Sequence, residues 1–461
     1  MRPKLSVLEL YSGIGGMHWA LKESGVHHDV VMAVDINTSA NKIYKHNFPS
    51  TNLQSFSLEK LTLEKLEGLN INTILMSPPC QPFTRVGKKG DCEDVRTKSF
   101  LHILQLLDEM KAKPQYLLVE NVKGFEVSQT RTQLVNCLAR CGYTYQEFLL
   151  TPLQFGIPNC RLRYYLIAKR DKHFAFKLQS QILTHLPKSE VQPVAGTDDS
   201  DITSDSKSVQ IASTKEMNAP HQYCINTVSD TNCSESDSSR VMSSQDSCQS
   251  ETVNLHPHNG ASLFARTLEA DPENFDTPEN SYAELKDAGR NMRYCEDDDD
   301  IITATSQPLS EFMEHLSSDE LAHYWLSDKE LRLFVIMDIV FPALKKSTCF
   351  TKRYGHYVDG AGSVVQMSSN VEDVRAASQF KSCVVKLKNR SEWGDAELNI
   401  LRKLQLRYFT PREVANLLCF PPQLDFPSGL SKIQKYRVLG NSLNVRVVAE
   451  LIKLMTQEVI T

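Results

Sequence analysis

Cys80 is the residue of this chain whose surroundings most favour nucleophilic chemistry. It lies in the segment Ser-Pro-Pro-Cys-Gln at 77–81, directly after a short apolar run. The two prolines restrict the backbone and hold the thiol in a set direction. A thiol becomes a nucleophile once its pKa falls below the free value of about 8.5. A buried structural thiol is the alternative, and it is the commoner role of cysteine.

Three further charged side chains are candidates for holding a heterocyclic substrate. Glu120 follows an apolar run and can hydrogen-bond a ring nitrogen and an amino group, although a helix cap or a surface salt bridge is the plainer alternative. Arg161 and Arg163 alternate, so they point to the same face of an extended segment. Such a pair can hold a base carbonyl, a phosphate or the carboxylate of Glu120.

A glycine-rich turn near the start predicts a cofactor site. The run 9–16 reads Glu-Leu-Tyr-Ser-Gly-Ile-Gly-Gly, an apolar strand followed by glycines that allow close approach of a ligand to the backbone. Asp35 ends the next apolar run and can accept hydrogen bonds from ribose hydroxyls. The glycine spacing differs from that of dinucleotide-binding turns, so a nucleoside-containing cofactor is indicated without a dinucleotide.

Alternating strands and helices over the first 170 residues must position these groups. This order predicts a parallel sheet covered on both faces, with strands at Leu5–Leu10, Val30–Val34, Thr73–Met76, Tyr116–Val119 and Tyr164–Ala168 and helices at Met17–Glu23, Phe100–Met110 and Thr130–Cys141. Asp35, Cys80 and Glu120 lie at the carboxyl ends of predicted strands, where ligand-binding and catalytic residues of such sheets are usually found.

The middle of the chain has a different composition. The segment 190–300 holds 23 acidic and 7 basic residues, a net of −16 against −5 for the whole chain, which leaves +11 on the rest. A polar, acidic segment of this kind predicts disorder, and a folded part at +11 can attract a polyanion. Order is expected again near Leu309, with helices at Glu320–Phe341, Tyr408–Leu418 and Arg446–Met455.

Several protein classes are disfavoured by the same reading. No apolar run has membrane length and no secretory signal is present, which predicts an intracellular protein in the cytoplasm and also the nucleus. The 12 cysteines have no zinc-finger spacing, so no metal is expected.

Taken together and in this order, these motifs resemble those of the cytosine-5 methyltransferase family. The glycine turn, the Pro-Pro-Cys-Gln loop, Glu120-Asn121-Val122 and the spaced arginines match four of its motifs, and 407–418 and 440–442 match two closing ones. The resemblance covers about 4–170 and 305–455. It implies an S-adenosylmethionine-dependent α/β fold, a Rossmann-like sheet with helices on both faces, plus a smaller target-recognition region.

A second group of residues is similar to the hallmark of one subfamily, the tRNA(Asp) cytosine-38 methyltransferases. These residues are Cys349-Phe350-Thr351, Tyr354-Gly355 and Gly360-Ala361-Gly362-Ser363. The motifs begin at residue 5, which favours this subfamily over maintenance DNA methyltransferases with long regulatory regions. Asn159, Ala361 and Asn72 depart from the usual residues but remove no catalytic group.

The resemblance implies a role for each site residue. Cys80 would add to carbon 6 of cytosine, Glu120 would hydrogen-bond the ring nitrogen and amino group, and Arg161 and Arg163 would hold the base and Glu120. The implied S-adenosylmethionine contacts are Tyr11, Ile14, Gly15, Gly16, Asp35, Leu58, Glu59, Ser77, Asn441 and Ser442. The implied substrate contacts are Gln81, Lys88, Lys89, Cys349, Thr351, Lys352, Arg353 and Tyr354.

The expected organisation has four parts. They are a first catalytic and cofactor-binding part at 4–186, a disordered insertion at 187–303, a target-recognition region at 304–395 and a closing catalytic part at 396–457. The partner is tRNA, with weak DNA binding and no membrane. A DNA cytosine-5 methyltransferase and a non-catalytic nucleic-acid-binding relict remain as alternatives, and methylation of an exocyclic amine is disfavoured because Cys80 replaces the aromatic residue that such enzymes use.

Overall fold

A seven-stranded sheet forms the centre of the protein. The computed structural model describes residues 4–79, 95–187, 305–384 and 393–458. The strands of the large sheet are β1 (Leu5–Leu10), β2 (His28–Val34), β3 (Leu53–Gln54), β4 (Thr73–Met76), β5 (Tyr116–Val122), β6 (Tyr143–Leu150) and β7 (Arg163–Arg170). Their order is β3-β2-β1-β4-β5-β7-β6, parallel except for β7, which runs antiparallel to both of its neighbours.

Helices connect these strands and cover the sheet. Those of the first half are α1 (Gly16–Ser24), α2 (Thr38–Asn47), α3 (Leu63–Glu67), α4 (Val95–Glu109) and α5 (Gln129–Arg140). Those of the second half are α6 (Ser318–Leu321), α7 (Asp328–Leu331), α8 (Val371–Val384), α9 (Asp395–Arg402), α10 (Pro411–Leu417), α11 (Lys432–Gly440) and α12 (Val445–Thr456). The closing helix α12 packs against α1, so the two ends of the described chain meet on one face of the sheet.

The strand side chains divide between two apolar cores, one on each face of the sheet. On β5, Tyr116 and Leu118 join the core that contains α1 and α12, while Leu117 and Val119 join the core that contains α4 and α5. A strand buried on both faces has no polar side and reads as one apolar run. This is why β5 can be predicted from the sequence as a continuous apolar run.

A smaller sheet lies in the second half of the chain. Its strands are β8 (Ile339–Val340), β9 (Val364–Gln366) and β10 (Leu406–Tyr408), in the order β10-β9-β8. Arg407 on β10 is fully buried and makes two 2.8 Å hydrogen bonds to Glu413 of α10. This sheet therefore takes one strand from the part of the chain beyond 395, and the four-part organisation itself stays a prediction.

One helix expected from the sequence is wrong. The stretch 320–341 contains only the short helices α6 and α7, with 3₁₀ turns at Ala322–Tyr324 and Phe334–Ile336. Ser327 caps α7, its side chain accepting from Glu330 and starting a new helix inside the predicted one. Serine competes in this way with a continuous helix. The strands β3 and β6 of the large sheet and the three strands of the smaller sheet are not predicted from the sequence.

Candidate active site

The glycine turn after β1 begins the site. Tyr11, Gly13 and Gly15 all have positive φ angles, and the amide of Gly15 donates to the carbonyl of Ser12 at 2.8 Å. Gly16 then starts α1 against the loop before α12, because a Cβ there would lie 2.9 Å from Cγ of Leu443. The turn therefore needs glycine for backbone conformation at Gly13 and Gly15 and for space at Gly16.

Asp35 stands beside this turn, directly after β2. Its carboxylate accepts a hydrogen bond from the amide of Gly13 at 2.8 Å and another from the amide of Asn37 at 2.7 Å. Burial raises the pKa of Asp35 above its ordinary value, and these backbone amides oppose that rise. A carboxylate oxygen accepts more than one hydrogen bond, so the group remains able to receive a ligand hydroxyl.

A cavity of about 420 Å³ opens above these residues at the carboxyl ends of β1, β2, β4 and β5. All of the residues expected to contact the cofactor line it except Gly15. Among the further residues at its walls that the motifs did not indicate are Val34, Ile36, Asn37, Phe56, Ser99 and Leu443. Gly15 faces α2 instead, where a Cβ would lie 2.7 Å from Cε2 of Phe48.

The cavity wall fits a nucleoside. Ile36 is 68% exposed and offers an apolar face suited to a purine ring. Asp35 is placed for hydroxyl groups, and the buried hydroxyl oxygen of Ser12 has no hydrogen-bond partner within the described chain. The exposed Ile36 was missed because its neighbours in sequence are polar and carry no periodic signal.

Glu120 and Arg163 form the charged part of the same cavity. Their closest atoms, Oε1 and Nε, lie 3.6 Å apart, and both residues line the wall together with Arg161. Burial raises the pKa of Glu120 above its ordinary value, and the charges of Arg163 and then Arg161 oppose this. The carboxyl therefore keeps a proton to higher pH than a free glutamic acid does.

Arg161 links two loops behind this pair. Its guanidinium is buried and donates to the carbonyl of Phe350 at 3.2 Å and to the carbonyl of Ser442. It also lies 3.3 Å from the sulfur of Cys349, while Arg163 lies 3.6 Å from the same sulfur. Burial opposes ionisation of this thiol, but the two arginines outweigh it and lower the pKa of Cys349.

The substrate residues expected after Cys349 divide into a buried and an exposed set. Lys352 and Arg353 are exposed. Tyr354 is only 1% exposed, and its hydroxyl donates to the carbonyl of Ser363 at 2.7 Å. Tyr354 packs against Phe350, Tyr408 and Tyr436, and the substrate contact expected of it stays a prediction. Thr351 is half-buried at the base of the loop.

Part of the predicted site lies outside the described residues. Cys80, Gln81, Lys88 and Lys89 belong to 80–94, and the predicted insertion at 187–303 lies almost wholly in 188–304. The described chain reaches Pro79, and the side-chain Nδ2 of Asn121 donates to the carbonyl of Pro78 at 3.4 Å. Pro78, Pro79 and Glu120 line the same cavity, and Cys80 is the next residue of the sequence after Pro79.

The described ranges hold neither a helix that could span a membrane nor a cluster that could bind a metal. None of the helices described at 4–79, 95–187, 305–384 and 393–458 is long and apolar enough to cross a membrane. Within those same ranges no group of three or more His, Cys, Asp or Glu side chains is arranged to hold a metal ion.

The chain is similar to proteins of known name over nearly its whole length. The model of the family described as C-5 cytosine-specific DNA methylase matches residues 5–457. A Bos taurus protein named tRNA (cytosine(38)-C(5))-methyltransferase is 41% identical over 98% of this chain and 99% of its own length. A Dictyostelium discoideum protein named DNA (cytosine-5)-methyltransferase is 34% identical over 98% and 94%. The crystal structure of a Spodoptera frugiperda DNMT2 mutant has a TM-score of 0.65 at 32% identity, covering 98% and 99% of the two chains.

Proposed function

Since this chain belongs to the C-5 cytosine-specific DNA methylase family, we propose that it transfers a methyl group from S-adenosylmethionine to carbon 5 of cytosine 38 in tRNA. One observation carries the proposal most directly. The cavity that begins at the glycine turn and Asp35 continues without interruption to Glu120, Arg161 and Arg163. A donor and a base bound in one continuous cavity can bring the methyl group and carbon 5 together.

S-adenosylmethionine supplies an electrophilic methyl group when it is bound. Asp35 is suited to its ribose hydroxyls, and Ile36 and Leu58 are suited to the adenine ring, since all three line the cavity. Gly13 and Gly16 line the cavity without side chains, which leaves the backbone open to the donor. Asn441 and Ser442 close the opposite wall, where the carbonyl of Ser442 is held by Arg161.

The remaining groups act on the base. The Cys80 thiolate adds to carbon 6, and Glu120 gives or shares a proton at the ring nitrogen, which takes up the charge that this addition creates. Its raised pKa favours that role because a protonated carboxyl can donate. Carbon 5 then forms its bond to the methyl group while the bond between that methyl group and the donor sulfur breaks, which leaves S-adenosylhomocysteine. A base removes the proton on carbon 5, the sulfur–carbon 6 bond breaks to return the thiolate, and Glu120 takes back the proton from the ring nitrogen.

The curated relatives support tRNA as the substrate. The bovine relative at 41% identity is named for cytosine 38 of tRNA. We extend this to tRNA(Asp), which the resemblance of the segment that begins at Cys349 implies. A base in a loop is already partly unstacked and needs less energy to enter the cavity than a base in a duplex. The Dictyostelium relative named for DNA keeps DNA methylation as the second candidate.

A substrate comparison tests this proposal. Purified protein and labelled methyl donor are incubated with one nucleic acid in each of three reactions. The nucleic acids are tRNA(Asp), another tRNA and duplex DNA of matched cytosine content. We expect incorporation in tRNA(Asp) and its loss in Cys80→Ala, with Cys383→Ala, an exposed cysteine remote in sequence from the motifs, as the matched control. Incorporation only in DNA would establish the second candidate instead. Full activity of Cys80→Ala would remove Cys80 as the nucleophile.

A further inference from the structure

Tyr357 is an exposed aromatic residue in the loop that follows Cys349. Its side chain is 51% exposed, whereas the other tyrosines, phenylalanines and tryptophans in the described ranges are buried or half-buried. Aromatic rings normally bury a large apolar area in a core or an interface. A single exposed ring needs no explanation by itself, so its position and neighbours decide whether it has a role.

The position of Tyr357 is set by the active site. The loop 349–363 begins at Cys349, whose sulfur lies beside both arginines. It then crosses Gly440 at the cavity wall so closely that a Cβ on Gly440 would lie 2.2 Å from the carbonyl carbon of Thr351. Hydrogen bonds from Tyr354 to Thr351 and from Tyr357 to Arg353 wind the next residues into a helical turn. A turn of this kind carries the chain only about 9 Å from Thr351 to Tyr357.

The base of the loop is rigid and its outer surface is open. The hydroxyl of Tyr354 donates to the carbonyl of Ser363 and accepts from the amide of Phe409 at 2.8 Å. Gly355 packs so tightly on Tyr436 that a Cβ would come within 2.4 Å of its ring. The Tyr357 ring is thus carried by a fixed backbone, which reduces the entropy lost when a ligand binds to it.

The neighbours of the Tyr357 ring are basic. The guanidinium of Arg353 lies 5.5 Å from the ring centroid, and the ring of His356 meets it edge-on at 4.8 Å. Lys352 is exposed in the same turn, while Asp359 is the acidic residue of the loop. An aromatic face with arginine and lysine around it is the combination that binds unpaired nucleotides, through base stacking and phosphate contacts.

We propose that Tyr357 is a stacking platform for an unpaired nucleotide that adjoins the target cytosine, with Arg353 on its flank. The inference rests on the proposed tRNA activity and deepens it, since it names a specificity-determining residue. When the target base is withdrawn into the cavity, its neighbour in a loop loses a stacking partner, and the Tyr357 ring replaces it. In a duplex that neighbour stays paired, so the platform favours a single-stranded loop over duplex nucleic acid.

The test measures kcat and KM for tRNA with three variants at one position. Tyr357→Ala removes the ring, Tyr357→Leu keeps apolar bulk without an aromatic face, and Tyr357→Phe keeps the face and serves as the matched control. We expect KM to rise about 5- to 150-fold for Ala and Leu, which corresponds to the loss of one stacked base, with kcat and Tm nearly unchanged. Tyr357→Phe should stay within about twofold of wild type.

Substrates with one abasic nucleotide identify the partner of the ring. Each anticodon-loop nucleotide other than the target is made abasic in turn and assayed with wild type and Tyr357→Ala. At one position adjoining the target, the difference between the two proteins should vanish, because the stacking partner is already absent. Equal KM for Tyr357→Ala and wild type, or an equal loss in Tyr357→Phe, would overturn the platform while leaving tRNA methylation intact. No methyl transfer to any tRNA by wild type would overturn both proposals.

If Tyr357→Ala raised KM by the same factor for every abasic substrate, this result would also count against stacking on a neighbouring nucleotide. A loss of binding to a protein partner, with unchanged KM for tRNA, would assign the ring to a protein contact instead.

Arg353→Ala separates the phosphate contact from stacking. It should weaken binding to all loop substrates alike and reduce the salt dependence of KM, since it removes one cation that contacts the phosphate backbone of the tRNA.

Discussion

Replacement by lysine should lower stability at Arg161 and lower the catalytic rate at Arg163. Arg161 is 3% exposed, and its guanidinium reaches the carbonyl of Phe350 from one loop and the carbonyl of Ser442 from another. A lysine keeps the charge but has one nitrogen, so it cannot reproduce a fork that spans two loops. Arg163 lines the cavity and faces Glu120.

The structure gives the size of each effect. Arg161→Lys loses about two hydrogen bonds from a charged donor, each contributing about 1.5 kcal/mol or more, so the free energy of unfolding should fall by about 3 kcal/mol. At about 2 °C per kcal/mol for a chain of this size, Tm should fall by about 6 °C. Arg163→Lys should lower Tm by about 2 °C or less, but it should lower kcat about 100-fold because the planar guanidinium held beside Glu120 is lost.

Thermal melting and single-turnover methyl transfer, measured on the same preparations, check this division. Arg170→Lys, on the same strand as Arg163 and far along it, is the matched control and should change neither quantity. Equal Tm values for the Arg161 and Arg163 variants would refute the idea that Arg161 joins the two loops. Normal kcat in Arg163→Lys would refute the role of Arg163 beside Glu120.

Three further predictions follow from the buried carboxyl groups. Asp35→Asn should weaken S-adenosylhomocysteine binding about 10- to 100-fold in calorimetry, since a charge-assisted hydrogen bond is lost; unchanged affinity would remove Asp35 from the ribose contact. Burial raises the pKa of Glu9 to about 8, so the proton it holds when folded stabilises the protein at low pH, and this stability is lost as pH rises toward 8. Glu9→Gln should flatten that fall in Tm between pH 5 and about 8, unlike the exposed control Glu23→Gln. Because burial raises the pKa of Glu120, methyl transfer should fall as pH rises through that pKa, and Glu120→Gln should be slower and lack this alkaline decline.

The sheet could be predicted from the sequence wherever strands are buried on both faces. β1 and β4 have the predicted bounds of Leu5–Leu10 and Thr73–Met76, because their side chains enter both cores and leave a continuous apolar run. β6 was missed, since Thr144 and Glu147 interrupt its apolar pattern. The carboxylate of Glu147 is balanced by Arg131 of α5, a contact distant in sequence that no local pattern reveals.

The site residues that belong to sequence motifs could be predicted, whereas those whose exposure depends on tertiary packing could not. Asp35, Glu120 and Arg163 stand out by type and by their place after or within strands, and the structure brings them to one cavity. Tyr354 and Tyr357 are alike in sequence, three residues apart in one glycine-containing loop, yet one is buried and the other exposed. Only the packing of Tyr354 among Phe350, Tyr408 and Tyr436 separates them.

The central claim is tested most directly by mapping 5-methylcytosine in tRNA(Asp) after incubation with the purified protein and S-adenosylmethionine. Deamination sequencing at single-nucleotide resolution should show one protected cytosine, at position 38, with wild-type protein, and none with Cys80→Ala. Protection at no cytosine of any tRNA, together with 5-methylcytosine in duplex DNA treated in parallel, would contradict the account.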